Sequence, residues 1–211
     1  MASLPYLEAE ASDCLLVTNK PTHLMKVDPT WSEAVDRYGR SESMYGFHLL
    51  GNKFSNGCTQ LEMITRKCLL DKHTRQACFL ILKREHMLSD DIPCTIGMNF
   101  RIRDGQLNAS VHMRSCDLIN GLPHDIAFAR LVQRLIVTAL TVANSRQFGQ
   151  LKIGSLNFSI DSFHVYERDF EAYHNLHFKL VDLQQICSNQ DVLNFIEHGP
   201  VIHPNLIYVP H

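Results

Sequence analysis

The alternation of apolar and polar residues predicts several strands around one dominant helix. Residues 77–82 form a continuous apolar run of strand length, which is typical of a strand covered on both faces. Alternating residues over 95–113 predict a hairpin with its turn at Asp104–Gly105, because Asp-Gly between alternating segments is a strong turn signal. Residues 155–166 alternate again and predict another strand.

Helical periodicity is strongest after Pro123. From there to about Arg146 apolar residues recur on one broad face, which predicts a long, centrally buried helix. Shorter helices are expected over 31–39, 59–70 and 181–198. Several strands with one dominant helix predict an α+β domain with a mixed sheet. A length of 211 residues is typical of one domain, which would span the whole chain, residues 1–211.

Composition excludes several classes of function. With 45% hydrophobic residues, 20% charged residues and a net charge of -2, the chain has no basic patch for a nucleic-acid polymer. No apolar stretch approaches the roughly 18 residues of a membrane span, so no membrane partner is expected. Seven scattered cysteines indicate reduced thiols in a cytoplasmic protein. The twelve histidines show no metal-ligand spacing, so no metal is expected.

The segment before the long helix concentrates polar side chains. Arg114, Ser115 and Asp117 lie within four residues; the arginine and the hydroxyl favour contact with an anion, and the carboxylate with a donor group of a ligand. Asp125 follows in the first helical turn, where the helix dipole stabilises a carboxylate. A substrate group can face the same helix end, so a structural and a binding role are both open for Asp125.

Six segments, spread in order along the chain, resemble the signature of thymidylate synthases. They resemble the phage deoxycytidylate hydroxymethylases more closely, chiefly through residues 107–115 and 154–168. The resemblance covers about residues 30–170. It implies a thymidylate synthase-like α+β fold, with a mixed, twisted sheet packed on a long central helix and a homodimer formed through the sheet. The segments are Pro93–Cys94, Arg103–Gly105, Met113–Asp117, Gly121, Asp125–Ala127 and Phe163–Tyr166, preceded in matching order by Trp31, Tyr45–Gly46 and Thr74–Arg75.

Cys94 matches the nucleophile of this family. Substitution at C5 of a pyrimidine needs a nucleophile that first adds at C6, and a thiolate suits this step because it adds and leaves easily. Taken alone, a free cysteine is more often a small buried core residue. Cys116 is the nearest rival, but it stands where the family does not use a nucleophile.

Two further catalytic groups are implied by the resemblance. Tyr45 is expected to assist removal of the C5 proton, directly or through water. A general acid/base glutamate is expected ahead of Trp31. Glu10 is the choice, because residues 6–10 resemble the phage hydroxymethylase segment, and Glu8 is the alternative.

The resemblance also assigns the substrate and cofactor contacts. Arg114 and Ser115 would bind the nucleotide phosphate, and Arg75 would reach across a homodimer into the partner's phosphate site. The family has a second arginine beside Arg75 where this chain has Gln76, and its early arginine loop has no clear counterpart here. The remaining assignments are His164 and Tyr166 on the sugar hydroxyl, and Trp31, Asp117 and Gly121 around the folate.

The residue at position 125 distinguishes between uracil and cytosine nucleotides as substrates. Thymidylate synthases place an asparagine here, whose amide pairs with O4 and N3-H of uracil. Cytosine presents an amino donor and an unprotonated N3, which a carboxyl group pairs with better when its pKa is raised by burial. The expected substrate is therefore a cytidine monophosphate.

The expected activity is a C5 hydroxymethyl transfer to deoxycytidylate from the co-substrate 5,10-methylenetetrahydrofolate. Thr95 stands beside the nucleophile where thymidylate synthases usually have histidine, which favours addition of water over transfer of hydride. Three alternatives stay open: a cytidylate or uridylate C5 methylase, the ribonucleotide CMP as substrate, and a non-catalytic nucleotide-binding relative. The cytoplasm of a bacterial or phage-infected cell is the expected location.

Overall fold

The computed structural model describes residues 4–171, so the helix predicted over 181–198 lies outside the described residues. The helices are α1 Leu4–Leu15, α2 Leu24–Val27, α3 Tyr45–Leu50, α4 Gln60–Leu70, α5 Leu122–Ala143 and α6 Ser145–Phe148. The strands are β1 Cys78–Leu80, β2 Thr95–Arg103, β3 Gln106–Asp117 and β4 Lys152–His164. Short 3-10 helices cover Pro29–Ala34, Arg84–Leu88 and Glu167–Asp169.

The four strands form one mixed sheet, as the sequence predicts, and their order in it is β1-β2-β3-β4. The first two pairings are antiparallel, and β3 pairs with β4 in parallel. The hairpin between β2 and β3 turns at Asp104 and Gly105, whose φ angles are 51° and 72°. Two positive φ angles define the turn type whose twist matches that of paired strands, so Asp-Gly sets the hairpin register.

Helix α5 is the central helix of the core, and its prediction is confirmed. It ends at Ala143 because Asn144 leaves the helical conformation and its side chain caps α6 through the Gln147 N–H. The apolar face predicted for this helix includes Ile126 and Ala143; the prediction was wrong at both, because both are exposed, Ile126 at 40%. Contrary to expectation, α5 is long and apolar enough to cross a membrane by length and composition. However, 56% of its most apolar 18-residue stretch is buried in the fold, as in a core helix.

Two predicted elements differ from the structure. Strand β1 is shorter than 77–82 and is covered on one face: it is the outermost strand, with Phe79 buried and Leu80 56% exposed. The helix predicted over 31–39 is a 3-10 helix that ends at Ala34. The Asp36 carboxylate accepts hydrogen bonds from the Tyr38 and Arg40 N–H groups, and this local turn competes with the helix.

Helix α4 begins where the sequence predicts. The Thr59 side chain accepts from the Glu62 N–H, and Glu62 accepts in return from the Thr59 N–H at 2.6 Å, which forms a capping box. Helices α4 and α5 pack together, and α5 also packs on β3 and β4.

The sheet has one covered face and one open face. Met98, Phe100, Leu107 and Val111 point to the helices and are buried. Residues at the alternate positions are half-buried or exposed, and no element among residues 4–171 forms a second layer over them. These open-face residues are largely polar, including Asn99, Arg101, Asn108, Ser110, Arg114, Asn157 and Ser159.

Candidate active site

Cys94 is held in place through its backbone. It directly precedes β2, and the Tyr45 hydroxyl oxygen accepts hydrogen bonds from the Cys94 and Thr95 N–H groups at 3.1 and 3.2 Å. On the other side the Arg114 N–H donates to the Cys94 carbonyl at 2.9 Å. The Arg114 guanidinium donates to the carbonyls of Pro93 at 3.1 Å and Ile92 at 2.6 Å. Helix α3 and strand β3 therefore fix the segment that presents the thiol.

The charge state of Cys94 depends on its neighbours. Burial raises the pKa of the thiol, the Arg114 guanidinium lowers it, and the Asp125 carboxylate raises it again. A change that neutralises Asp125 therefore favours the thiolate, which is the nucleophilic form.

Asp125 lies in the first turn of α5 as a half-buried carboxyl group. Burial raises the pKa of Asp125 to about 7, so the group exchanges its proton near neutral pH. The Cys116 thiol lies 3.7 Å from Asp125 Oδ2 and donates a hydrogen bond to it. Burial and then Asp125 raise the pKa of Cys116 to about 12, so this rival cysteine stays protonated.

Glu10 and Trp31 meet Tyr45 around a small cavity of about 20 Å³. Burial raises the pKa of Glu10 well above its usual range, and the carboxylates of Asp125 and Asp13 raise it further. Burial likewise raises the pKa of Tyr45, followed by Asp125 and Cys94. The structure thus places Glu10, rather than the alternative Glu8, near Tyr45 and Asp125.

Tyr6 and His124, which the sequence did not single out as site residues, form an aromatic group with Trp31, which lines this cavity. The Trp31 indole N–H donates to the Tyr6 hydroxyl at 2.6 Å, and the Tyr6 ring stacks on His124 with centroids 3.9 Å apart and planes 10° apart. Burial lowers the pKa of His124 to about 4, so the ring is neutral. The one available signal was position: Tyr6 lies one helical turn before Glu10, and His124 directly precedes Asp125.

Asp117 and Gly121 build the turn that leads into α5. The Asp117 carboxylate accepts from the N–H groups of Ile119 at 3.0 Å and Asn120 at 3.1 Å. The Gly121 N–H donates to the Asp117 carbonyl at 3.1 Å, and a Cβ at this glycine would lie 2.9 Å from that oxygen. Each carboxylate oxygen keeps a further acceptor site for a ligand.

His164 and Tyr166 lie next to this turn. Their rings contact each other edge to face with centroids 5.0 Å apart, although Tyr166 lies beyond the end of β4. His164 pairs with Asp117 across the parallel strands, and its carbonyl accepts from the Leu118 N–H at 2.9 Å. Ser115 pairs with Ser162 on the same two strands. Arg114, Ser115, Asp117 and His164, which were predicted to contact phosphate, folate and sugar, therefore share one end of the sheet.

Arg75 is exposed and lies at the other end of the sheet. Two hydrogen bonds locate Arg75 relative to Arg114. Ala77, two residues after Arg75, accepts through its carbonyl from the Phe100 N–H, whereas Arg114 donates through its N–H to the Cys94 carbonyl. The six residue steps from Cys94 to Phe100 span about 20 Å at roughly 3.3 Å per residue. That separation exceeds the length of an arginine side chain, so Arg75 does not complete the site of its own protomer.

Glu42, His48 and His86 form a cluster whose possible ligand atoms lie within 4.8 Å of one another. Sequence spacing did not indicate it, because its members come from three segments. His86 Nδ1 accepts from the Lys83 N–H at 3.2 Å, so its Nε2 carries the proton and donates to Glu42 at 3.1 Å. His48 Nε2 donates to the Glu42 carbonyl at 2.9 Å, and its Nδ1 lies 3.4 Å from the Lys83 ammonium. These hydrogen bonds hold the three side chains together.

Tyr45→Phe is expected to destabilise the fold as well as slow any reaction. The substitution removes the acceptor of the Cys94 and Thr95 N–H groups. An unsatisfied buried donor costs about 1–3 kcal/mol, and we expect the free energy of unfolding to fall by at least that of one group. Urea unfolding measures the change, with Tyr38→Phe as control because Tyr38 is 54% exposed. Equal stability of the two variants would show that the hydrogen bonds to the Tyr45 hydroxyl do not stabilise the fold.

Comparison with known proteins identifies the family. The family model described as thymidylate synthase matches residues 17–184. The chain belongs to the thymidylate synthase family. This membership confirms the resemblance inferred from the ordered segments.

The curated relatives include phage enzymes. Deoxycytidylate 5-hydroxymethyltransferases of Enterobacteria phages T4 and T2 are each 29% identical to this chain over 171 residues. The enzyme of phage T6 is 28% identical over the same length. These matches cover 78% of this chain and 66% of each relative, so the chain spans just under two thirds of their length.

A solved structure has the same fold. Thermostable thymidylate synthase A from Bacillus subtilis superposes with a TM-score of 0.63 at 18% identity, covering 84% of this chain and 65% of that one. The predicted α+β, thymidylate synthase-like fold with a mixed sheet on a long central helix is therefore confirmed.

Proposed function

We propose that this protein is a folate-dependent C5 hydroxymethyltransferase that converts deoxycytidine or cytidine monophosphate to the 5-hydroxymethyl nucleotide. The observation that supports this choice best is the half-buried Asp125, whose pKa burial raises to about 7, next to the candidate nucleophile Cys94. The phage relatives are named for this reaction on deoxycytidylate.

Asp125 suits cytosine because it carries a transferable proton at neutral pH. The carboxyl group accepts from the 4-amino group with one oxygen and shares its proton with N3 through the other. Protonation at N3 makes C6 a better electrophile. The proton that Asp125 gives up leaves its carboxylate paired with the positively charged base, and this pairing offsets the effect of the carboxylate on the pKa of Cys94.

The steps follow from the positions of the side chains. Cys94 Sγ adds to C6, with Arg114 favouring the thiolate, and C5 becomes nucleophilic. After C5 has bonded to the one-carbon unit, Tyr45 and Glu10 are placed to accept and relay the C5 proton, directly or through water. Loss of that proton breaks the bond between the one-carbon unit and the folate nitrogen, so tetrahydrofolate would leave and an exocyclic methylene would remain. Water then adds to this carbon, and expulsion of Cys94 restores the pyrimidine. Thr95 in place of the usual family histidine favours water at this step.

The residues around the aromatic group fit a folate. When bound, 5,10-methylenetetrahydrofolate supplies the one-carbon unit. Trp31 and the stacked Tyr6 and His124 offer flat surfaces, and Asp117 keeps acceptor sites for the N–H groups of a pterin. Gly121 keeps the Asp117 turn close to the start of α5.

The nucleotide would lie at the end of the sheet near Asp117. Arg114 uses two N–H groups on backbone carbonyls and retains others for phosphate, together with the Ser115 hydroxyl. His164 and Tyr166 are placed for the sugar hydroxyl. A second copy of the chain, docked on the open sheet face, would bring its Arg75 to this phosphate.

The test is a turnover assay with labelled formaldehyde, tetrahydrofolate and, in turn, dCMP, CMP and dUMP. Mass spectrometry should find a hydroxymethyl group on a cytidine nucleotide. A methyl group instead would indicate a C5 methylase. Nucleotide binding without any product would indicate a non-catalytic relative, and either result would overturn the proposal.

The titration of Asp125 predicts a pH-dependent stability. Because burial raises its pKa from 3.8 to about 7, the folded chain holds the proton more tightly than the unfolded chain. The resulting stabilisation is full below about pH 4 and is lost as pH rises to about 7, beyond which the carboxylate is a penalty. In urea unfolding we expect Asp125→Asn to be more stable than wild type at high pH, with the difference shrinking toward pH 4. A pH-independent difference would contradict the raised pKa.

A further inference from the structure

We propose that Asp13 is a positioning residue: it ties the end of α1 to the start of α2 and places a negative charge beside Glu10. This inference rests on the proposed function and deepens it, because Glu10 and Trp31 line the cavity that they share with Tyr45. The sequence did not single out Asp13.

The carboxylate of Asp13 is closed to solvent, with a side-chain exposure of 0%. It accepts from the N–H groups of His23 and Leu24, each at 3.0 Å, and from the His23 ring Nδ1 at 2.7 Å. A carboxylate can only accept, so the ring donates from Nδ1. A buried charge is stable only with such partners. Asp13 and the start of α2 are therefore fixed relative to each other.

The same hydrogen bonds extend to the wall of the cavity. The N-cap residue of α2, His23, provides no side-chain cap, and the Asp13 carboxylate takes the first N–H groups of the helix instead. Leu24 is 1% exposed and lines the cavity together with Trp31. The Asp28 N–H donates to the Leu24 carbonyl at 2.8 Å, and the Trp31 N–H donates to the Asp28 carbonyl at 3.3 Å. Asp13 thus positions Trp31 through α2.

Asp13 is also a neighbour of Glu10 on α1. Residues three apart on a helix lie on one face, with Cβ atoms about 5–6 Å apart. Burial raises the pKa of Glu10, and the carboxylates of Asp125 and then Asp13 raise it further. Glu10 therefore holds its proton to higher pH than an ordinary glutamate.

Among residues 4–171, no lysine, arginine or histidine lines the cavity to balance these carboxylates. His23 offsets the charge of Asp13 only when both ring nitrogens are protonated. The other titratable groups that face Glu10 in the described chain are Tyr6, Cys14 and Tyr45.

A protonated Glu10 suits the relay of the C5 proton. One oxygen of a carboxylic acid accepts a proton while the other releases its own to water, so the group ends each relay as it began. An ionised Glu10 could only accept. The charge of Asp13 therefore keeps Glu10 in the form that a relay requires.

The first test follows the protonation of Glu10 itself. NMR of protein labelled isotopically at the glutamate carboxyl carbon gives a titration for each glutamate, and Glu10→Gln identifies the signal of Glu10. Asp13→Asn keeps the size of the side chain and one acceptor oxygen but removes the charge. We expect the Glu10 midpoint to move to lower pH by about one pH unit. Asp90→Asn, the same change at an exposed position, should leave it in place. An unmoved midpoint in Asp13→Asn, or an equal shift in Asp90→Asn, would overturn the inference.

His23→Ala separates the charge of Asp13 from its packing. This variant removes the ring contact at 2.7 Å but keeps Asp13 and the two N–H groups that bind it. The Glu10 midpoint should stay at or above the wild-type value. A fall like that expected for Asp13→Asn would show that loosening the cavity wall is sufficient, and would overturn the role of the charge. This variant also decides the question if Asp13→Asn does not fold.

The last test links Asp13 to turnover. Above both midpoints the protonated fraction of Glu10 differs by the shift between the two proteins, so Asp13→Asn should lower kcat for dCMP about tenfold there, with KM within about twofold. Added to Glu10→Gln, the same change should alter kcat by less than about twofold, since both act through one group. Equal effects in the two backgrounds would contradict action through Glu10. Absence of turnover by the wild-type protein would refute the proposed function, whereas the titration of Glu10 would still test the role of Asp13.

Discussion

Cys94→Ser is expected to abolish turnover while leaving nucleotide binding intact. The thiolate forms the bond to C6 that makes C5 nucleophilic, and a hydroxyl in this setting is a far weaker nucleophile. Loss of an essential nucleophile costs at least about 10³-fold in kcat. Binding should persist because the backbone of Cys94, rather than its sulfur, makes the contacts with Tyr45 and Arg114.

Single-turnover kinetics and calorimetric titration with dCMP measure the two quantities separately. Cys116→Ser is the matched control: a serine hydroxyl can still donate to Asp125, as the Cys116 thiol does at 3.7 Å. We expect this control to retain turnover within about tenfold of wild type, the effect of a single neutral hydrogen bond. If Cys116→Ser abolished turnover and Cys94→Ser did not, the assignment of the nucleophile would be wrong.

Asp125→Asn is expected to reverse the preference between cytosine and uracil nucleotides. An amide cannot share a proton with N3 of cytosine, and its donor opposes the 4-amino group, whereas it pairs with O4 and N3-H of uracil. Two mispaired buried groups at about 1–3 kcal/mol each lower kcat/KM for dCMP by on the order of 10²-fold or more. The kcat/KM for dUMP should rise.

The measurement is the ratio of kcat/KM for dCMP and dUMP, together with its pH profile. For wild type, kcat/KM for dCMP should depend on a group with a pKa near 7, and this pH dependence should be absent from Asp125→Asn. Asp90→Asn, a change of the same chemistry at an exposed position, should leave both unchanged. An unaltered selectivity in Asp125→Asn would remove the main support for a cytidine substrate.

Part of the fold follows from local patterns. The positive φ angles that Asp104 and Gly105 adopt readily set the β2–β3 hairpin, and the Thr59–Glu62 capping box starts α4. Strand β1 was predicted less well, because an apolar run does not reveal whether a second layer covers it. The turn at Asp36 was missed because a side chain there captures backbone N–H groups that a helix would otherwise use.

The candidate site, like the fold, was predicted only in part from the sequence. The resemblance of ordered short segments to the family indicated Cys94, Tyr45 and Asp125. Contacts between distant segments could not be inferred in this way, since they depend on how α1, α2 and α5 pack. Such contacts include the Tyr6–His124 stack, the hydrogen bond from Cys116 to Asp125, and the hydrogen bond from His23 to Asp13.

By itself the sequence determined the family, the central helix, the hairpin and the identity of the candidate reactive groups. These features depend on residue type and on spacing within a short stretch. Only the tertiary structure decided how far burial raises the pKa of Asp125 and which glutamate lies near Tyr45. It alone also showed that Arg75 and Arg114 lie far apart within one protomer. Burial, electrostatic neighbours and strand register arise when distant segments pack together, and those properties are not encoded in any one segment.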